Sequence, residues 1–248
     1  MQARTIIPTL LMAGGLAGPA AAQEMAAGWS IGAVLGSTQS AYVGRSQRTG
    51  IAPILSYEGE RFTLGVNGLG VKVFDGSANK LSFHLAPRLS PLKDPSEPEL
   101  AGIDRDHSLD LAVVYEYRAS RQFGTFARVS KGINAAQNGV EVKVAARGAF
   151  SAGPVPLLVS AGASWKSAEL SQYYYGVNAS EVAVGRAAYT VGTTTTPFLS
   201  IGSSMPLGDN TRLFGSVRAD FFGSAITNSP IVTRSTVVSA ALGLTYSF

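Results

Sequence analysis

The chain has no cysteine in its 248 residues, which excludes a disulfide-stapled secreted domain, a thiolate metal centre and a lipid anchor carried on Cys. Histidine occurs only as His84 and His107. No ligand cluster of metal-site spacing forms around either, so neither a metal nor a cofactor is expected. Charge is sparse, at 15% of residues. The net charge is +4 and the isoelectric point near 9.4, yet Lys and Arg are scattered singly and form no dense basic stripe, so nucleic acid is not an expected partner. Long hydrophobic runs are missing as well. The run over residues 6–16 is broken by Pro8, Gly14 and Gly15 and falls short of the roughly 20 apolar residues that a spanning helix needs.

That short run reads instead as the core of an export signal. Arg4 precedes it, and Ala20, Ala21 and Ala22 supply the small-residue cleavage pattern. The expected organisation is a signal peptide over residues 1–22 and one all-β domain over 23–248.

What the chain has in quantity is glycine, 28 residues, together with a positive mean hydropathy of +0.17. An apolar chain without spanning helices can satisfy its backbone in hydrocarbon only as a closed barrel. The residue pattern agrees with that. At the C-terminus Val238, Ala240, Leu242, Leu244, Tyr246 and Phe248 alternate with Ser239, Ala241, Gly243, Thr245 and Ser247, a period of two with one greasy face. Upstream, Leu109, Leu111, Val113, Tyr115 and Tyr117 alternate with a face bearing Asp110, Glu116 and Arg118. A soluble β-sandwich also alternates, but it would carry denser charge on its exposed faces.

Turn-forming residues divide the connections into tight ones, such as Glu58-Gly59-Glu60 and Ala152-Gly153-Pro154, and long ones over residues 41–48, 90–106, 132–138, 168–195 and 223–234. Tight turns belong at the periplasmic end and long loops outside. Keeping every long loop outside requires the segment 61–74 to break near Asn67-Gly68. The expectation is therefore a closed antiparallel transmembrane barrel of twelve strands, with ten as the alternative count. The two halves of the broken segment are short for spanning strands, so a bulge or an incompletely spanning hairpin is expected there.

Candidate chemistry is thin. Arg128, Glu141, Lys143, Arg147, Lys166, Arg212, Arg218 and Asp220 fall on the polar faces of their strands and are the expected lumen lining. Basic groups exceed acidic ones among them, which would favour anions if the barrel conducts. Ser82 and His84 share a strand face and raise an outer-membrane acyl hydrolase as an unfavoured alternative, because they lie in Ser-x-His order and face the lumen. Tyr173, Tyr174 and Tyr175 sit in a long external loop, either as a membrane anchor or as a contact for a ligand or partner.

Three stretches carry a family likeness: Pro53-Ile54-Leu55-Ser56-Tyr57-Glu58-Gly59-Glu60-Arg61-Phe62; Tyr174-Tyr175-Gly176-Val177-Asn178-Ala179-Ser180-Glu181; and Asn228-Ser229-Pro230-Ile231-Val232 with Gly243-Leu244-Thr245-Tyr246-Ser247-Phe248. Through these the chain resembles the MipA/OmpV family of outer-membrane β-barrels. The likeness spans nearly the whole mature chain and departs from the pattern over residues 87–98. It implies a non-enzymatic barrel embedded in outer-membrane lipid, with no catalytic residues. It also implies a scaffold linking a murein hydrolase to a murein synthase; other members are described as porin-like or adhesion-related. Tyr246 and Phe248 resemble the terminal signal read by the barrel-assembly machinery.

Overall fold

The computed structural model describes residues 28–134 and 137–248; the expected signal peptide lies outside them. Twelve strands follow in order: β1 (Gly28–Gln39), β2 (Gln47–Glu58), β3 (Phe62–Gly65), β4 (Gly68–Asp75), β5 (Asn79–Arg88), β6 (Ser108–Arg118), β7 (Phe123–Gly132), β8 (Val140–Ala152), β9 (Val155–Lys166), β10 (Thr194–Pro206), β11 (Thr211–Phe221) and β12 (Thr236–Ser247). Each pairs antiparallel with its sequence neighbours, and β1 closes on β12 from Ser30↔Ser247 to Thr38↔Ser239. Closure pairs the backbone of the wall strand by strand, as residing in hydrocarbon demands, except where the short β3–β4 hairpin leaves part of β2 and the end of β5 without a facing strand among the described residues.

The period of two sets the faces. Ile31, Leu35, Leu55, Leu111, Val144, Leu199, Leu242 and Leu244 are exposed on the outer surface, while the residues between them point inward. Aromatic side chains gather at the end of the wall where both chain ends of the barrel lie. Trp29 packs on Tyr57 at 5.0 Å between ring centroids, and Phe123 meets Phe150 edge-on at 6.2 Å. Phe62, Tyr117 and Tyr246 are exposed at the same level. Such a girdle marks a membrane interface.

The break near Asn67 is as expected. β3 has four residues and pairs with β2 only through Tyr57↔Leu64 and Glu58↔Thr63. Gly65 and Gly68 face each other across the hairpin tip, and Gly68 adopts φ +84°, a left-handed conformation that any side chain would strain. A register shift between Lys72 and Phe74 adds the bulge.

Among the described residues the long connections build a hydrophobic core. Tyr42, Leu92, Leu100, Ile103, Leu170, Val177, Val191, Ile226 and Ile231 pack together, and Leu92, Leu100, Ile103, Leu170 and Ile231 are wholly buried. Helix α1 (Ala168–Tyr175) is capped by the Ser167 hydroxyl, which accepts from the Leu170 N–H. The short α2 (Ser224–Thr227) brings Ile226 to the same core. The barrel is thus covered by a cap at the end opposite the tight turns.

Candidate functional site

The inner face of the wall joins charged residues from five adjacent strands. Arg88, the last residue of β5, donates from Nε to Asp110 at 2.7 Å, from Nη1 to Glu141 at 2.9 Å and from Nη2 to Ser130 at 3.0 Å. Glu141 also accepts from the Ser164 hydroxyl and lies 3.7 Å from Lys166 Nζ. Arg88 and Asp110 are 7% and 4% exposed, so each charge depends on the other for solvation. Arg128 and Lys143 line the same cavity, about 70 Å³ in volume. Neither takes part in an ion pair or side-chain hydrogen bond among the described residues. Elsewhere Arg147 pairs with Glu116 at 3.2 Å and lies over the Phe126 ring; Arg218 binds Asp220 through two bonds of 2.6 and 2.9 Å and lies over Phe198. Arg212 stands apart near the tight-turn end, opposite Pro206 and Thr245.

Glu141, Lys143, Lys166 and Arg128, expected as lumen lining, are therefore brought together; Arg218 with Asp220 forms its own pair within electrostatic reach of Lys143 and Lys166, whereas Arg147 and Arg212 lie apart. Arg88 is the centre that sequence reasoning passed over. Its signal was available, because it falls in phase with Ser82 and His84 on the inner face of β5.

Ser82 and His84 do meet, with Oγ and Nε2 2.8 Å apart. His84 Nδ1 is buried without a hydrogen-bond partner. Among the described residues no carboxylate is bonded to the ring, so the arrangement there shows a pair and not a triad. Among the described residues no group of His, Asp and Glu could hold a metal ion.

The tyrosine cluster calls for a correction. Tyr174 and Tyr175 are 4% and 7% exposed inside the cap, where they can neither anchor the barrel in lipid nor meet a partner. Their place on an amphipathic helix, invisible to a loop reading, turns them inward. Burial raises both hydroxyls above the usual tyrosine range, which keeps them neutral. Tyr173 is half-buried, and its hydroxyl donates to the Asp106 carbonyl at 2.8 Å.

Arginines tie the cap together. Arg105 forms a bidentate pair with Glu181, at 2.5 and 2.9 Å, and donates from Nε to the Tyr173 carbonyl at 2.7 Å. Arg186 donates to the carbonyls of Glu181, Glu99 and Ala101 at 2.7 to 2.8 Å. Arg45 joins Glu97 at 2.6 Å and also reaches the Pro91 carbonyl. These loop arginines obey no periodicity and had no sequence signal.

A closed antiparallel wall, a lipid-facing apolar belt with an aromatic girdle, tight turns at one end and a loop cap at the other define an outer-membrane β-barrel. The matching family model, MltA-interacting protein MipA, covers residues 31–248. The chain belongs to that family. Relatives include YiaT of Escherichia coli strain K12, named as an outer membrane protein, 26% identical over 93% of this chain and 95% of its own. Another is the MltA-interacting protein of the same strain, 25% identical over 89% of this chain and 90% of its own. Among solved structures, the toluene transporter TbuX of Ralstonia pickettii is similar at 9% identity and a TM-score of 0.44, covering 90% of each chain. This is an outer-membrane protein.

Proposed function

We propose that residues 1–22 direct export and are removed, and that the barrel then acts as a non-enzymatic scaffold holding a murein-processing enzyme against its periplasmic rim. The observation that carries this reading is the cap. A hydrophobic core closes the outer end, leaving the tight-turn rim as the accessible polar face on the murein side. That rim exposes Glu60, Arg61, Arg121 and Asp209, charges of both signs suited to a protein partner. The name of the relative called MltA-interacting protein supports the same class of partner.

Cross-linking of envelopes followed by purification of the barrel tests the reading. A lytic transglycosylase or penicillin-binding protein should be enriched over an unrelated barrel, and the enrichment should fall when Arg61 and Arg121 are changed to Glu. Equal recovery from both barrels removes the scaffold role. The alternative of a small-anion porin draws on the cation surplus of the lumen, but the cap and the ion pairs across the interior oppose conduction. Planar-bilayer recording should give no steady anion-selective conductance. An acyl hydrolase acting through Ser82 lacks the group that would orient His84; lipid profiles should be unchanged in Ser82→Ala.

A further inference from the structure

The wall of the barrel is incomplete in one place. Because β3 meets β2 only at Tyr57 and Glu58, residues 47–56 of β2 have no strand partner on that side among the described residues. Across the hairpin, β4 pairs with β5 only up to Leu85, so Ala86, Pro87 and Arg88 also lack one. The hairpin tip at Val66 and Asn67 forms the sill of this window. The β5–β6 connection forms its lintel, held to the far side by Arg45 and Arg48 on the Pro91 carbonyl and by Arg45 on Glu97. Each jamb carries a proline, Pro53 or Pro87, a residue that sheets accept at edges because it has no N–H to give a further strand.

The window opens into lipid. Ile51 is 69% exposed and Leu55 54%, and they pair with Leu35 and Ile31 of the outer apolar belt. Unpaired backbone at this depth is tolerated where it lines a wet cavity or is covered by a ligand or protein. A cavity does lie behind it: Val66, Asn67, Ala86 and Pro87 at the window are continuous with Arg128 and Lys143 in the lumen. At about 70 Å³ it is well above the roughly 10–15 Å³ that a single water needs, enough for one compact polar group. Around it Arg88, Arg128, Lys143 and Lys166 face two carboxylates, Asp110 and Glu141. Arg88 engages both carboxylates and Lys166 stands 3.7 Å from Glu141, so the surplus of two positive charges falls to Arg128 and Lys143, which make no ion pair among the described residues.

We propose that this window is a lateral binding site for a single-chain amphiphile with an anionic head, a carboxylate or a phosphate monoester. The head enters between Val66 and Pro87 to reach Arg128 and Lys143. The tail lies outside against Ile51, Leu55 and Val66, in the width left where two strands at about 4.8 Å each stop short. An extended peptide added to the β2 edge would satisfy the same backbone groups, but it would leave the two cations unanswered.

The test uses the full barrel in neutral detergent. Since the chain has no native cysteine, Val66→Cys carries an environment-sensitive fluorophore at the sill. Dodecanoate and dodecyl phosphate should each give a saturable change, and dodecanol and inorganic phosphate should each bind at least ten-fold more weakly. Arg128→Ala with Lys143→Ala should weaken the acids by ten-fold or more. Heat-modifiable migration reports whether that variant assembles; if it does not, Lys143→Gln alone should still weaken both acids by about three-fold or more. The proposal is overturned if dodecanol binds like dodecanoate, if inorganic phosphate binds like the alkyl phosphate, if neither acid binds, or if the assembled variants bind like the parent.

Discussion

Removing Arg105 should loosen the cap without unfolding the barrel. Its guanidinium and the Glu181 carboxylate are 7% and 9% exposed, and deleting one member of a buried pair typically costs about 3–5 kcal/mol because the other is stranded. The lower end applies, since Glu181 keeps the Asn178 N–H at 2.8 Å. The Tyr173 carbonyl loses its donor as well. A loss of ~3 kcal/mol is about a hundred-fold in the opening equilibrium. The reporters are the amides of Val177 and Tyr189, which bond each other's carbonyls at 2.9 and 3.0 Å within the cap. Hydrogen exchange at these amides should accelerate by roughly a hundred-fold in Arg105→Ala, while amides of the β8–β9 ladder keep their protection. In the double variant with Glu181→Ala no charge is stranded, so the combined cost should be smaller than the sum by about 0.5–3 kcal/mol. Exchange at Val177 within three-fold of the parent, or strict additivity of the two changes, would refute the claim that this pair holds the cap.

Three further outcomes are expected. In Gly32→Ala the new methyl would stand 2.1 Å from the Leu244 carbonyl oxygen at the β1–β12 seam; the strain of about 1–3 kcal/mol should lower the temperature at which the folded gel band is lost. The Arg45 guanidinium holds the Glu97 carboxyl below its usual range. A depressed acid stabilises the fold above its unfolded pKa, near 4.3, and that contribution disappears as pH falls through the folded value. Protease cleavage within residues 89–107 should therefore rise below about pH 4 in the parent and depend less on pH in Glu97→Gln. Phe248 is 67% exposed, and its N–H donates to the Trp29 carbonyl at 3.0 Å. If Tyr246 and Phe248 serve as the assembly signal, Phe248→Ala should reduce the amount of barrel reaching the outer membrane several-fold, as read by fractionation, whereas a contact role alone would leave that yield unchanged.

The wall was legible because a strand in a barrel has only two sides and lipid enforces the choice on every second residue. Leu242 and Leu244 against Gly243 and Thr245 suffice to orient β12, and the parity of long and short connections placed the break at Asn67. The cap was not legible, since its order comes from side chains meeting across 54 to 132 residues of sequence. Tyr42 donates to the Tyr174 carbonyl, Ser229 to that of Tyr175, and Arg105 finds Glu181. None of these contacts leaves a local pattern, and the burial of Tyr174 and Tyr175 was not foreseen for that reason. Arg88 lies between the two cases: its face could be read from parity, but its three partners come from three other strands.

Wall and cap are held by different forces, and the window is where they depend on each other. The wall rests on main-chain ladders that a single side-chain change can scarcely dismantle. The cap rests on a small apolar core and a few arginine clamps, and it can open alone. Between β2 and β5 the ladder is interrupted, and the edges are spanned by Arg45 and Arg48 on the Pro91 carbonyl and by Arg45 on Glu97. Loosening the clamp at Arg45 should therefore widen the lateral opening, whereas breaking the side-chain pair of Arg105 with Glu181, which spans neither edge, should not. The two clamps separate access from the membrane side from closure of the outer end, although both belong to one layer of loops.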